Sequence, residues 1–89
     1  MASSLWVAEL IIPDHTKRKL SGKHDLGWRD VHDAIVCVRG LHFLQEVDPE
    51  RGERFLVGFR WRRRECLAVL YPVDDPSGDV YALITANLR

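Results

Sequence analysis

The sequence predicts a small α+β protein, in which two short helices pack on one face of a mainly antiparallel four- to five-stranded sheet. Three observations predict this fold class: a β-favouring segment near the N-terminus, helical periodicity in the next third, and alternating segments separated by turn residues in the C-terminal half. The chain has 89 residues, of which 46% are hydrophobic and 29% charged. This length predicts a single domain spanning residues 1–89.

The N-terminal segment predicts one strand and one helix. Leu5–Ile12 is rich in β-branched and aromatic residues and is followed by Pro13, which predicts a strand. Asp14 then occupies an N-cap position, and Gly22 occupies the position of a helix-ending glycine. These two signals predict a helix over Asp14–Ser21.

A second helix is predicted by an apolar stripe. Apolar residues recur at spacings of three and four from Trp28 to Val38, and Gly40 follows as the predicted helix end. The members of the stripe are Trp28, Val31, Ala34, Ile35 and Val38.

The remaining half predicts four strands joined by turns, which gives the element order β-α-α-β-β-β-β. The strands are predicted at Leu41–Val47, Arg54–Trp61, Glu65–Tyr71 and Val80–Ala86. The turns are predicted at Asp48–Gly52, Arg62–Arg64 and Asp74–Gly78.

Alternation along the two central strands predicts which side chains share a face. The large side chains are expected on the face that meets the helices, while Leu56, Gly58, Ala68 and Leu70 form a shallow floor on the other face. Arg54 and Arg60 flank this floor and are about 20 Å apart, because a strand rises about 3.3 Å per residue. Such a face suits an RNA platform and a protein interface equally well.

Composition and motifs exclude several classes of function. The formal net charge is zero, which argues against nonspecific nucleic-acid binding, although basic residues cluster locally. No signal sequence or membrane-spanning segment is recognisable, so we expect a cytoplasmic protein. There is no glycine-rich phosphate loop or nucleophile elbow, and the four histidines and two cysteines lack metal-ligand spacing, so no metal or other cofactor is expected. Cys66 lies beside an arginine-rich turn that would lower its pKa, but an ordinary strand cysteine is the preferred interpretation.

Several short motifs, taken in order, resemble the BrnT-type toxins of bacterial type II toxin–antitoxin systems, which are relatives of the RelE-like ribonucleases. The matching segments are Lys23-His24, the helix from Trp28 to Val36, Glu53-Arg54-Phe55 with Gly58, Leu67–Tyr71, and Ile84-Thr85-Ala86. The resemblance covers roughly Lys17 to Ala86. The chain departs from the family at Asn87, where such toxins carry an arginine, and asparagine has no fixed positive charge.

The resemblance implies a toxin that acts as a metal-independent endoribonuclease, cleaves RNA, which could be ribosome-bound, and inhibits translation. It also implies a cognate antitoxin protein as partner. Cleavage needs a base for the 2′-hydroxyl, a cation for the developing charge and an acid for the leaving oxygen. The candidates are Glu53 or His24 as base, Arg54 and Lys23 as charge stabilisers, and His24 as acid if it is not the base. RNA binding is assigned to Arg60, Arg62, Arg63 and Arg64, with Asn87 at the position of the family's arginine.

The departure at Asn87 and the geometry of a regular strand lead to an alternative function. A regular strand places Glu53 and Arg54 on opposite faces, so both serve one site only if the strand start is irregular. The alternative is a non-catalytic protein-interaction module with a degenerate toxin fold, whose arginine-flanked sheet face binds an acidic partner such as an antitoxin-like helix.

Overall fold

A computed structural model describes residues 4–24 and 26–88 of the chain, but not the side chains of Lys23 and His24. It contains seven helices and strands within those ranges, in the order predicted from the sequence. They are β1 (Glu9–Ile11), α1 (Asp14–His24), α2 (Trp28–Ile35), β2 (His42–Asp48), β3 (Gly52–Trp61), β4 (Arg64–Pro72) and β5 (Val80–Leu88). The predicted α+β class, with two helices and a mostly antiparallel sheet, is confirmed.

The five strands form one mixed sheet with the order β1-β5-β4-β3-β2. The three hairpin connections make antiparallel pairs, as their short turns require, whereas β1 pairs with β5 in parallel. The edges of this sheet are therefore β1 and β2. A register shift opposite Val69 and Leu70 inserts one extra residue into β5.

Both helices end at positions that differ from the prediction. Helix α1 continues through Gly22 to His24, because a glycine lowers helix stability by only about 1 kcal/mol and does not by itself end a helix. Helix α2 ends at Ile35 instead of Val38. The next residues leave the helix because Val36 is extended and Cys37 has a φ of 57°, which lets the Cys37 N–H donate to the Val7 carbonyl at 2.8 Å.

One hydrophobic cluster holds these elements together. Helix α1 contacts β5, helix α2 contacts β3, and buried side chains of both helices belong to the same cluster as those of the sheet. The fully or almost fully buried members include Leu20, Val31, Ile35, Val57, Cys66, Ala68, Leu70, Leu83 and Ala86. Burial of this apolar surface is the main stabilising contribution available to a chain of this length.

The prediction that Ala68 and Leu70 lie on the open face is wrong. In the β3–β4 register Phe55 is opposite Leu70 and Val57 is opposite Ala68, so all four side chains share the buried face. The prediction treated the turn as three residues, but the turn has two, and Trp61 is paired with Arg64. A change of one residue in a hairpin register moves every side chain of one strand to the other face.

Candidate functional site

The face of the sheet opposite the buried cluster carries an uncovered row of side chains that are apolar at three of four positions; we call this face the outer face. Leu44 pairs with Leu56, Leu56 with Val69, and Val69 with Thr85, so one side chain from each of four neighbouring strands lies in line. We call these four residues the apolar row. Neighbouring strands are about 4.8 Å apart, so the row is about 14 Å long. Leu44 keeps 61% of its surface exposed, and the other three are half-buried.

A depression lies beside the apolar row because one position in the next row has no side chain. Gly58 is paired with His42 on one side and with Leu67 on the other, and Leu67 is paired with Asn87. Two adjoining concavities of about 360 and 290 Å³ both include Gly58 and His42 in their lining. A Cβ atom added at Gly58 would meet only the His42 carbonyl oxygen, at 3.9 Å. The glycine is thus not required by its backbone neighbours, and it leaves room for a side chain of a bound molecule.

A polar cluster lies on the other side of the apolar row, at the turn between β2 and β3. The Arg54 guanidinium makes ion pairs with Glu46 and with Asp48, the latter at 3.4 Å. The Tyr71 hydroxyl donates to the same oxygen of Asp48, Oδ2, at 2.8 Å, and the Arg51 guanidinium lies 5.7 Å from the Tyr71 ring centroid. We call Glu46, Asp48, Arg51, Arg54 and Tyr71 the turn cluster. Two carboxylates and two guanidiniums balance within it, so Arg54 is not a free cation.

Asp48 connects this cluster to the backbone of the turn. Its Oδ1 atom accepts the Glu50 N–H at 2.8 Å and the Arg51 N–H at 3.4 Å. The Glu50 N–H, the Tyr71 hydroxyl and, to a smaller extent, the Arg54 charge hold the pKa of the Asp48 carboxyl below its ordinary value. The ionised carboxylate therefore closes the turn.

The free positive charge of the hairpin is at its other end, in four arginines that we call the arginine tip: Arg60, Arg62, Arg63 and Arg64. All four are exposed, and within residues 4–24 and 26–88 none of their side chains makes an ion pair. Arg62 and Arg63 have φ angles of 50° and 66°, the left-handed region that a type I′ turn needs at both of its central residues. The Arg62 guanidinium lies 4.7 Å from the Trp61 ring centroid.

Of the four residues proposed for catalysis, Glu53 and Arg54 are not brought together. Glu53 pairs with Val47 and Arg54 pairs with Glu46 in a regular register, so their side chains point to opposite faces of β3. Glu53 accepts a hydrogen bond from Gln45 on its own face. The side chains of Lys23 and His24 lie outside the described residues.

Of the other predicted positions, Asn87 and Arg60 lie on the outer face. Asn87 is half-buried and directly opposite Leu67, beside the depression, while Arg60 lines the larger of the two concavities. Arg60 is also paired with Glu65, an exposed carboxylate of the neighbouring strand. From one side to the other, the outer face therefore carries the apolar row, the row with the depression at Gly58, and the charged pair of Arg60 and Glu65.

Cys66 is fully buried in the cluster below this face. Burial raises the pKa of its thiol and outweighs the opposing effect of the nearby Arg64 charge. This supports the interpretation of Cys66 as a structural residue. Among the described residues, no group of three or more His, Cys, Asp and Glu side chains is placed to hold a metal ion.

Sequence reasoning missed several residues of the outer face. His42 and Leu44 belong to it through β2, and Leu67 and Val69 through β4, where the sequence prediction had assigned the buried side. The length of the Arg62-Arg63 turn was the signal that would have found the β4 residues. Counting two turn residues instead of three gives the observed pairing.

Comparison of the chain with protein-family models, with curated proteins and with solved structures finds no match. Its helices, as far as the structure describes them, are too short to cross a membrane.

Proposed function

We propose that this protein is an interaction module that binds an acidic, amphipathic helix of a partner protein on its outer face. The observation that supports this is the uncovered apolar row. It lies on the same face of the sheet as Arg60, one of the four residues of the arginine tip. A contiguous apolar patch left in contact with water is often a binding surface, and here Leu44, Leu56 and Val69 are apolar in three neighbouring strands. The proposal presumes the cytoplasmic location expected from the sequence.

The distribution of charge gives the partner its expected polarity. Arg54 is compensated by Glu46 and Asp48, so among the described arginines of the β3–β4 hairpin it is the arginine tip that remains available to attract carboxylates. The apolar row would take the apolar stripe of the helix, and the depression above Gly58 would take one protruding side chain. Acidic residues at one end of the helix would then reach the arginine tip and steer the encounter.

The endoribonuclease toxin implied by the family resemblance is the second proposal. The exposed arginine tip favours it, because four guanidiniums that form no ion pair among the described residues suit the phosphates of RNA as well as they suit carboxylates. The separation of Glu53 from Arg54 weighs against it, because base and cation must act on one phosphate. In this proposal the acidic partner would be the cognate antitoxin, and the RNA substrate would compete with it at the tip.

The first proposal can be tested by selecting from a displayed library of amphipathic helical peptides on the purified protein. We expect enriched peptides to be acidic, and to bind the variants Leu56→Lys and Arg63→Glu at least about tenfold more weakly than the wild type. The matched control is Arg18→Glu, the same charge reversal at an exposed position of α1, which should leave binding unchanged. Binders that show no acidic preference, or that bind Leu56→Lys as well as the wild type, would exclude the outer face as the site.

The second proposal needs a separate experiment, in which bacterial growth is followed after tightly controlled induction. Arrest by the wild type that Arg54→Ala or His24→Ala relieves, with cleaved transcripts in the arrested cells, would support ribonuclease activity. Arg54→Ala also opens the turn cluster, so circular dichroism must show that the variant is folded. Normal growth with folded wild-type protein would exclude the toxin proposal and leave the interaction module standing.

A further inference from the structure

Strand β2 is a long, regular edge strand without the usual protection. It pairs with β3 over all seven residues from His42 to Asp48, with no bulge, and its sequence contains neither proline nor lysine. The other edge strand, β1, is protected because it is short, with only three residues. Leu44 and Val47 of β2 have 61% and 76% of their surface exposed and point to opposite faces of the sheet. An edge of this kind presents unpaired backbone groups together with uncovered apolar side chains on both faces.

We propose that a second copy of this chain covers this edge, and that two β2 strands pair antiparallel about a two-fold axis at Leu44. A two-fold axis perpendicular to the sheet keeps the outer faces of both copies on the same side. Side chains directly opposite each other must then point to the same face, which restricts the axis to a residue position rather than a gap between residues.

The side chains of β2 select among the registers that remain. With the axis at Leu44, the two Leu44 side chains face each other, Val47 faces Leu41, and the imidazole of His42 faces the carboxylate of Glu46. Both strongly exposed apolar residues of β2 are thereby covered by apolar partners.

Neighbouring registers are less complementary. An axis at Glu46 places two glutamates directly opposite each other, which is repulsive. An axis at Gln45 places Leu44 opposite a glutamate and leaves it without an apolar partner. An axis at Phe43 places Leu44 opposite His42. The register at Leu44 is therefore the one of these four that gives both strongly exposed apolar residues an apolar partner, while it places Phe43 opposite Gln45.

This pairing would extend the candidate binding surface without covering it. The two five-stranded sheets become one ten-stranded sheet, and the apolar rows of the two copies meet at Leu44 and double in length. The proposal does not depend on the proposed function, because it concerns the free protein without any partner. A pair of short strands buries less surface than a standard stable interface, so we expect a dissociation constant on the order of 10 µM.

Sedimentation velocity over a concentration series tests the proposal with two variants, Leu44→Lys and Leu44→Glu. We expect the wild type to dimerise, and each variant alone to stay monomeric at about 100 µM, because like charges meet at the axis. An equimolar mixture of the two variants should form dimers again, because opposite charges then meet. The matched control is Ile11→Lys, at an exposed position of the other edge strand, which should dimerise like the wild type.

Three results would overturn the proposal. The first is wild-type protein that stays monomeric at the highest concentration. The second is either single variant forming dimers alone, which would place the interface elsewhere or shift the axis to Gln45, where Leu44→Lys would face a glutamate and gain affinity. The third is a mixture that fails to associate although circular dichroism shows both variants to be folded.

Discussion

The turns at the two ends of β3 both contain left-handed backbone, but different residue types provide it. The turn between β2 and β3 has Gly52, with a φ of 87°, at its left-handed position, and the Asp48 carboxylate accepts two backbone N–H groups of the turn. The turn between β3 and β4 has two left-handed residues instead of one, and both are arginines. Neither Arg62 nor Arg63 donates a side-chain hydrogen bond within the part of the chain that the structure describes.

This difference means that the first turn has less backbone strain, whereas the second carries exposed positive charge. A residue with a Cβ atom in the left-handed region costs about 1–2 kcal/mol, whereas glycine does not bear this cost. The first turn avoids the cost, and the second accepts it twice while presenting guanidiniums to solvent. Local strain of this kind is concentrated at functional sites, which agrees with a role for the arginine tip in binding.

Among the substitutions that test this comparison, Gly52→Val is expected to change the free energy of unfolding most. It gives the first turn the backbone strain that Arg62 and Arg63 already give the second. We expect the free energy of unfolding to fall by about 2 kcal/mol, since nothing else lies within 4 Å of the added Cβ and only the backbone conformation is affected. Urea denaturation measures the change.

The control for this variant is Gly58→Val, the same substitution in the same strand at a position with an ordinary φ. It should leave the stability unchanged or raise it by up to about 1 kcal/mol, because valine favours strands. It should also weaken binding of selected acidic peptides, because it fills the depression. Equal losses of stability at both glycines would show that backbone strain is not the distinguishing property of the first turn.

A smaller effect of opposite sign is expected when Arg62-Arg63 is replaced by Asn-Gly. This pair is the preferred sequence for a type I′ turn, so the double variant should be more stable by about 1 kcal/mol. The same variant should bind acidic peptides less tightly, because two of the four tip charges are gone. The control is Arg18→Gln with Arg39→Gln, which removes two exposed positive charges elsewhere and should change neither quantity. A less stable Asn-Gly variant would mean that the arginines stabilise the turn through contacts such as that of Arg62 with Trp61.

The fold was predictable from the sequence to the extent that local signals determine it. The order of elements followed from periodicity and turn residues, and Pro13 and Asp14 marked the junction between the first strand and the first helix. The parallel pairing of β1 with β5 carried no local signal, because it joins residues about 70 positions apart in sequence whose contact depends on the whole core. The end of α2 was missed for the same reason, since Cys37 leaves the helix to bond with Val7 in the N-terminal segment.

The candidate site was predictable only in part, because faces depend on register. The arginine tip and Gly58 were recognised from residue type alone. The assignment of β4 to the wrong face followed from one miscounted turn residue, which placed Leu67 and Val69 inside and Leu70 outside. The turn cluster had a readable signal: a turn closed by Asp48 and Gly52 sets Glu46 opposite Arg54, and predicts their ion pair.

The smallest effect is expected from the ionisation of Asp48 in the first turn. The pH dependence of stability separates the contribution of this charge from that of the backbone geometry. The hydrogen bonds from the Glu50 N–H and the Tyr71 hydroxyl lower the pKa of the Asp48 carboxyl below its ordinary value, so the carboxylate favours folding at pH values above about 4. This contribution is lost as the pH falls through the folded-state pKa, because folding then no longer favours the ionised form. Asp48→Asn keeps an oxygen that can accept the Glu50 N–H but removes the charge.

We therefore expect the urea midpoint of Asp48→Asn to lie below that of the wild type at pH 7, and the two midpoints to converge at about pH 2. The control is Asp74→Asn, the same substitution at an exposed position before β5, measured at the same two pH values. A difference for Asp48→Asn that is the same at both pH values would mean that the carboxylate acts through its shape alone. The first turn would then match the second in lacking an electrostatic contribution, and glycine at position 52 would be the only remaining distinction between them.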